Sequence, residues 1–558
     1  MRKKIYQLHR RLSIIIAIPV LLWAISGFMH PIMTNIRPAI ATQGILSVPV
    51  DPTRIHISLA DALRKHHIDS CLNFRLVHID TNWFYQVQLA GAGGNAVPGS
   101  AGAPIYISCT NGNVLTAGDW LYAQYLARQF LEGPMEGMRA KPGEVRVIPV
   151  SLAGSGTHDC CGAATETVLN PVKGAKVTNV SMVHAYDKEY KSINRLLPVY
   201  RVSFDRPDGI RVYVETTQDR FSFAMDNRRA VFDEIFRIFH TWGWLDFLGK
   251  GRLAVEMLVA LTALFTTVLG IYIFFTTRGP RVARNGMVKA RRNHRYTAIV
   301  AALFTLMWTF SGSFHAFSKL RDDARDEYFV AAHFASDVTG FDLTRLQGVC
   351  PRPVTNISLV GMDGAAYWRV TMLPEKTATH KDLMKDRGAV LSPVAYVRTT
   401  DYSVIADGDK HYAAWMATQF SRRPAGEIRS VSPVTAFGDE YNFTDKRLPV
   451  WKVSYDAGGH ERWYVETCSG RLSSKVDDRM VVEGYSFSVF HKHHFMDWGG
   501  KTARDASTMF WVLMQVILVM IGLILWFRRK RSLRPQAGDR VLSGSPVGLG
   551  KDDQQTNG

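Results

Sequence analysis

The sequence predicts a polytopic α-helical membrane protein, with four transmembrane helices in a pseudo-twofold tandem repeat and two α+β domains outside the bilayer. Three observations carry this. Apolar residues are concentrated in four stretches, basic residues cluster at alternate ends of those stretches, and long blocks of the second half echo the first.

The apolar stretches come first. Leu12–Met29 carries no charged residue, Leu253–Thr277 carries only Glu256, and Tyr296–Phe317 and Ala506–Phe527 carry none. Each is close to the roughly 17–25 residues needed to cross a bilayer. The chain has 558 residues and a net charge of +18, which alone would permit a nucleic-acid partner. The placement of the charge argues against one. Arg2, Lys3, Lys4, Arg10 and Arg11 precede the first stretch. Arg278, Arg281, Arg284, Lys289, Arg291, Arg292 and Arg295 lie between the second and third. Arg528, Arg529, Lys530, Arg531 and Arg534 follow the fourth. With four alternating spans these segments share one side, and the positive-inside rule makes that side cytoplasmic. The basic balance is therefore topological, and no nucleic-acid partner is expected.

The expected organisation follows. Residues 1–30 form a cytoplasmic N-terminus and first span, 31–252 a periplasmic domain, 253–277 the second span and 278–295 a basic cytoplasmic loop. Residues 296–317 form the third span, 318–505 a second periplasmic domain, 506–527 the fourth span and 528–558 a cytoplasmic tail. The tail loses hydrophobic periodicity and reads as disordered. Both termini are cytoplasmic, the membrane is a bacterial inner membrane, and lipid surrounds the spans. All six cysteines, Cys71, Cys109, Cys160, Cys161, Cys350 and Cys468, fall in the outer segments, where disulfides are permitted, though spacing does not reveal the pairing.

The repeat is read from three blocks. LHRRLSIIIAIPVLLWAISGFMH (8–30) aligns with NHRYTAIVAALFTLMWTFSGSFH (293–315) at an offset of 285. GDWLYAQYLARQF (118–130) aligns with GDKHYAAWMATQF (408–420) at 290. LPVYRVSFDRPDGIRVYVETTQDR (197–220) aligns with LPVWKVSYDAGGHERWYVETCSGR (448–471) at 251. The fall from 290 to 251 places an insertion of 39 residues between 131 and 185, spanning about 140–180 and holding His158-Asp159-Cys160-Cys161. That cluster reads first as a surface loop with a cysteine pair, and second as a metal site or vicinal disulfide. The repeat also argues against a cleaved N-terminal signal, despite Ala39-Ile40-Ala41. Val199–Phe204 and Arg211–Val214 alternate as strands around Pro207-Asp208-Gly209, as do Trp451–Tyr455 and Trp463–Val465 around Gly458-Gly459. Leu59–His66 and Trp120–Phe130 have helical spacing. Trp23, Trp308, Trp242 and Trp244 suit interfacial aromatic belts.

The chemistry lies in the histidines. His9 and His294 fall at the cytoplasmic ends of spans one and three, and His30 and His315 at their outer ends. Within each span the two are 21 residues apart, roughly 31 Å of helix and close to one face. His240 and His491 form a third pair, shortly before spans two and four. A lone interfacial histidine is ordinarily a headgroup anchor. Three pairs at equivalent positions point further, because ionisable groups near the membrane are costly and imidazole is an axial ligand for haem iron. No CxxCH motif occurs, so covalent haem is not expected. His9 and His294 would take an inner haem. His30, His315, His240 and His491 supply an outer one, with a third haem if all four are ligands. His66-His67 and His493-His494 read as surface residues.

LHR at 8–10 with SGF at 26–28, HRY at 294–296 with SGS at 311–313, and RLPVWKVSYD (447–456) with WYVETCSGR (463–471) followed by His491 give the chain a family resemblance. Over most of 1–530 it resembles the PepSY-associated transmembrane family, so the outer domains are expected to be PepSY-like. That resemblance implies kinship with haem-containing inner-membrane siderophore reductases carrying two b haems. His9, His30, His240, His294, His315 and His491 would be the haem-iron ligands. The implied activity is oxidoreductase: electrons from quinol or a separate reductase would reach a ferric siderophore or another periplasmic acceptor and release iron. The alternative is a non-redox membrane scaffold or regulator that binds a protein or peptide through PepSY-like domains.

Overall fold

The computed structural model describes residues 2–89, 103–133, 175–278, 285–321, 328–330, 332–375 and 391–532. The His158–Cys161 cluster, most of the insertion, residues 279–284 of the basic loop and the tail beyond 532 lie outside the described residues. The chain divides into two compact units. A helical unit comprises residues 1–28, 248–316 and 493–558, and a sheet unit comprises 29–247 and 317–492.

Among the described residues, four helices are long and apolar enough to cross a membrane. They are α1 (Arg2–Asn35), α5 (Gly251–Thr276), α6 (Gly286–Arg321) and α10 (Gly500–Ser532). Helices α1, α6 and α10 run beyond their apolar stretches into polar flanks, α1 continuing through Pro31, whereas α5 adds only Gly251 and Arg252 and ends at Thr276. The side chains buried along these helices are mostly small: Ala17, Ala24, Ser26, Ala260, Ala263, Thr266, Ala301, Ala302, Thr305, Ser311, Ser313 and Ala316. Ile15, Ile18, Leu258, Phe265, Phe275, Leu303 and Leu513 point outward. In hydrocarbon, large apolar residues gain nothing by leaving the lipid, so helices approach through small ones. Thr305 donates to Gln515 Oε1 across α6 and α10 at 2.8 Å. Arg295 of α6 closes on the end of α5, donating to Thr277 Oγ1 at 2.8 Å and lying over the Phe274 ring.

The sheet unit is built from both outer segments. The first contributes β1 (Ser70–Cys71), β2 (Asn73–Ile79), β3 (Asn82–Gln88), β4 (Ile105–Ser108), β5 (Val177–Val183), β6 (Val199–Phe204), β7 (Arg211–Glu215) and β8 (Arg220–Met225). The second contributes β9 (Phe334–Ala335), β10 (Val354–Met362), β11 (Ala365–Met372), β12 (Val394–Arg398), β13 (Val404–Ile405), β14 (Ile428–Val434), β15 (Val450–Tyr455), β16 (Arg462–Glu466) and β17 (Arg471–Val476). Sheets β2-β3-β4 and β5-β6-β7-β8 belong to the first segment, β10-β11-β12-β13 and β14-β15-β16-β17 to the second, and β1 pairs with β9 across them. The strands expected at 199–204, 211–214, 451–455 and 463–465 form as β6, β7, β15 and β16. The turn expected at Gly458-Gly459 is a single helical turn, Ala457–His460. Register breaks fall between Val177 and Asn179 and between Ile428 and Ser430, 251 residues apart.

The helices of this unit are α2 (Leu59–Lys65), α3 (Gly118–Glu132), α4 (Asn227–Phe239), α7 (Leu343–Val349), α8 (Gly408–Ser421) and α9 (Asp478–Ser486). Helix α3 buries Leu121, Tyr122, Tyr125, Leu126 and Phe130 against Val202, Val212 and Val214. Helix α8 buries Tyr412, Met416 and Phe420 against Val453 and Val465 in the same manner. A third core joins the segments: Phe74, Leu76, Trp83 and Tyr85 pack with Phe334, Ile357, Leu359 and Trp368. Asn356 clasps the backbone of Leu76 from both sides, at 3.1 and 3.0 Å.

A buried ion cluster also ties the segments together. Glu466 carries no exposed side-chain surface and pairs with Arg220 of the first segment and, at 2.9 Å, with Arg447 of the second. Arg220 also reaches Glu215 at 3.3 Å. Burial alone would raise the Glu466 carboxyl, but Arg220, Arg447 and the Ser469 hydroxyl outweigh it and hold the carboxyl at about 2. Removing Glu466 leaves two buried guanidiniums with only Glu215 to balance them, so Glu466→Ala should destabilise the sheet unit by about 3–5 kcal/mol. The depressed carboxyl contributes stability that is complete above its ordinary value of 4.5 and lost as pH falls towards about 2. Denaturation followed by circular dichroism between pH 6 and pH 2 should therefore show wild type losing stability over that window and Glu466→Ala losing less. Equal pH slopes would contradict the assignment.

Candidate functional site

Histidines converge at two places, one in each unit. In the helical unit His9 stands on the first turns of α1. Its Nδ1 lies 3.1 Å from the Thr266 carbonyl of α5. A carbonyl can only accept, so Nδ1 carries the proton and Nε2 the lone pair. A Cβ on Gly270, one turn further along α5, would stand 3.2 Å from His9 Cε1. Glycine is what lets this ring lie against the helix. His294 on α6 faces α10 in a parallel way. Gly522 is the residue behind its ring, with 3.6 Å from an added Cβ to Cε1. The Leu518 carbonyl lies near His294 without reaching hydrogen-bond geometry, so Nδ1 is buried with no hydrogen-bond partner. Thr266 and Leu518, like Gly270 and Gly522, are 252 residues apart. His9 and His294 are close enough to act on one another electrostatically.

In the sheet unit His30, His240 and His491 come together. Asp226 caps α4 by accepting from Arg229 N–H, and His240 closes its C-terminus, donating its backbone N–H to Phe236. Asp477 caps α9, and its continuation is a π-helical turn, Phe487–His491, that ends on the second histidine. Single π turns are rare and concentrate at functional positions. Each imidazole stacks on the phenylalanine four residues before it, His240 on Phe236 at 4.4 Å and His491 on Phe487 at 4.6 Å. The two imidazoles lie 6.1 Å apart, edge to face. His30, on the last turns of α1, is 5.6 Å from the Phe236 ring. Burial, with His30 nearby, lowers His240 to about 4. Its ring is therefore neutral at physiological pH, the form that binds metals. His315 is half-buried on α6 and belongs to the helical unit.

One sequence expectation is corrected. His493 is not a surface residue: it is fully buried in the helical unit. Its ring lies parallel to Trp308 at 5.3 Å, with Phe304 at 5.3 Å and Phe495 at 5.2 Å, while Nδ1 meets the Ser507 hydroxyl at 3.1 Å. Its Nε2 is buried without a hydrogen-bond partner. Trp242 is buried beside Trp244, which is exposed. The aromatic ring at 308 gave a signal for His493 that a linear reading could not use, because its partner is almost two hundred residues away.

Among the described residues no three His, Cys, Asp or Glu side chains form a metal-binding group. Cys71, Cys109, Cys350 and Cys468 are free thiols, and burial raises Cys71 to about 11.

The burial of His493 yields a test. His493→Ala removes a stacked ring from a packed site and should cost about 2–4 kcal/mol. His494→Ala breaks only a half-exposed pair with Asp497 and should cost less than about 1 kcal/mol. Thermal unfolding in detergent should separate the two, and equal losses would place His493 at the surface after all.

Compared with protein-family models and with curated proteins, the sequence matches none.

Proposed function

We propose that this chain is a duplicated bacterial inner-membrane protein of the PepSY-associated transmembrane type that carries electrons through b haems to a ferric acceptor in the periplasm. The observation that carries the reading is the inner histidine pair. His9 and His294 stand on α1 and α6, each backed by a glycine of another membrane-length helix at matching offset. One has its Nδ1 anchored and its Nε2 left as a lone pair, and the other has a buried Nδ1 without a partner. Buried polar atoms of this kind call for a ligand, and an anchored Nδ1 is how proteins orient an imidazole towards a metal.

The outer set fits the same cofactor. His240 and His491, whose rings lie 6.1 Å apart, are the residues that would hold it, through neutral imidazole nitrogens. Phe236 and Phe487 give apolar flanks, which raise the affinity of a flat macrocycle and tune its potential. Bound haem would supply one-electron redox chemistry. The chain's own part is to hold each imidazole neutral and oriented, to exclude water, and to space the two sets. His9 and His30 share one continuous helix, so their separation is roughly 31 Å. In this reading both termini are cytoplasmic and the sheet unit is periplasmic, where an acceptor docks. The donor is quinol or a separate reductase. Reduction releases the metal because hard oxygen donors hold Fe(II) less well than Fe(III).

The purified protein should show a b-type spectrum with two haems per chain. His9→Ala should lose the inner haem and keep the outer, and His491→Ala should do the reverse. In stopped-flow mixing, dithionite-reduced protein should be reoxidised by ferric siderophores. Haem that stays reduced through prolonged mixing with a panel of ferric chelates would remove the reductase reading. Protein without haem would favour the scaffold reading.

A further inference from the structure

The sheet unit holds a cleft of about 300 Å³, lined by charged and apolar residues, that the histidine sites do not use. Arg75 and Asp219 line it from the first segment, and Arg369, Asp409, Trp451 and Cys468 from the second.

The two arginines differ in how they are satisfied. Arg75 is fully engaged: Nε donates to Gln86 at 2.5 Å, Nη1 to Asp219 at 2.8 Å, and Nη2 to the Thr216 carbonyl at 2.7 Å. Arg369 is only 8% exposed, yet among the described residues it meets the neutral hydroxyls of Thr371 and Thr467 only at a long 3.3 Å, with the Tyr396 hydroxyl also close by. Its Nε makes none and stands 3.5 Å from Asp409. Asp409 is already committed, accepting from Tyr396 at 2.8 Å and from Trp451 Nε1 at 2.6 Å. A guanidinium has five donors in a fork that matches a carboxylate, and a buried one left short of acceptors calls for an explanation.

Strand register supplies it. Arg75 faces Gln86 across β2 and β3, and Ser358 faces Arg369 across β10 and β11. Tyr106 bonds Asp119 as Tyr396 bonds Asp409, so Asp409 corresponds to Asp119 and not to the partner of Arg75. That partner, Asp219, corresponds to Gly470 at the offset of 251. Among the described residues, the first segment thus places Asp219 and Asp119 beside Arg75, and the second places Asp409 alone beside Arg369. We propose that the missing carboxylate is supplied by a ligand: the cleft binds a small organic carboxylate, with its anionic end on Arg369 and its flat body against Trp451. This inference does not depend on haem.

The test uses the full chain in detergent and isothermal titration with benzoate, with benzamide as its neutral isostere. Benzoate should bind, and benzamide about tenfold more weakly or less. Arg369→Gln should abolish the difference. Because that substitution touches a buried charge, Gly470→Asp provides a second arm. Gly470 has a φ of +65, close to the +53 of Asp219, and an added Cβ would meet nothing nearer than 3.6 Å. The new carboxylate should fold normally and displace benzoate by occupying Arg369. Equal binding of benzoate and benzamide, no binding of either at about 10 mM, or unchanged benzoate binding in Gly470→Asp would overturn the proposal.

Discussion

An imidazole packed among apolar helices must find a partner for its ring nitrogens, and the account of this protein depends on that requirement. Unpaired polar atoms in a dry bundle cost on the order of 1–3 kcal/mol each. His9 meets the requirement at one nitrogen through the Thr266 carbonyl, while His294 leaves Nδ1 without one. The glycine at 270 follows from the same constraint, since an added Cβ would crowd the His9 ring at 3.2 Å, whereas Gly522 leaves an ordinary 3.6 Å contact to His294. The small residues along the helix contacts let the helices close around the pair.

The sheet unit is constrained differently. Its two segments are wound together through one apolar core and one ion cluster. The three joining residues Arg220, Glu466 and Arg447 are deeply buried, so a segment expressed alone would expose charge as well as apolar surface. A unit held this way keeps His240 and His491 in one place although they come from different segments. It also creates the cleft in which the two segments present unequal sets of charges.

Much of this was legible in the sequence. The membrane-length helices were, because hydrocarbon thickness sets a length that composition must meet. Strands β6, β7, β15 and β16 were, because alternation survives where one face is buried. The nearness of His9 to His294 was legible from the repeat, which sets them at equivalent positions 285 residues apart. His493 was not: in HKHHF it looks like part of a polar run, and its burial depends on Trp308 from a distant helix. The π turn that sets His491 was not legible either, since hydrophobic periodicity does not distinguish it from α-helix. Arg369 was invisible for a related reason. Its shortage of acceptors arises only once β10 and β11 pair and Gly470 stands where the first segment has Asp219.

The central claim is that haems held by paired histidines would carry electrons from one side of the membrane to the other. The most direct measurement uses sealed vesicles containing the purified protein, with a ferric chelate trapped inside and a quinol supplied outside. The account predicts ferrous chelate accumulating inside at a rate that falls to the protein-free level in His9→Ala. A wild-type rate no faster than that of protein-free vesicles would contradict it.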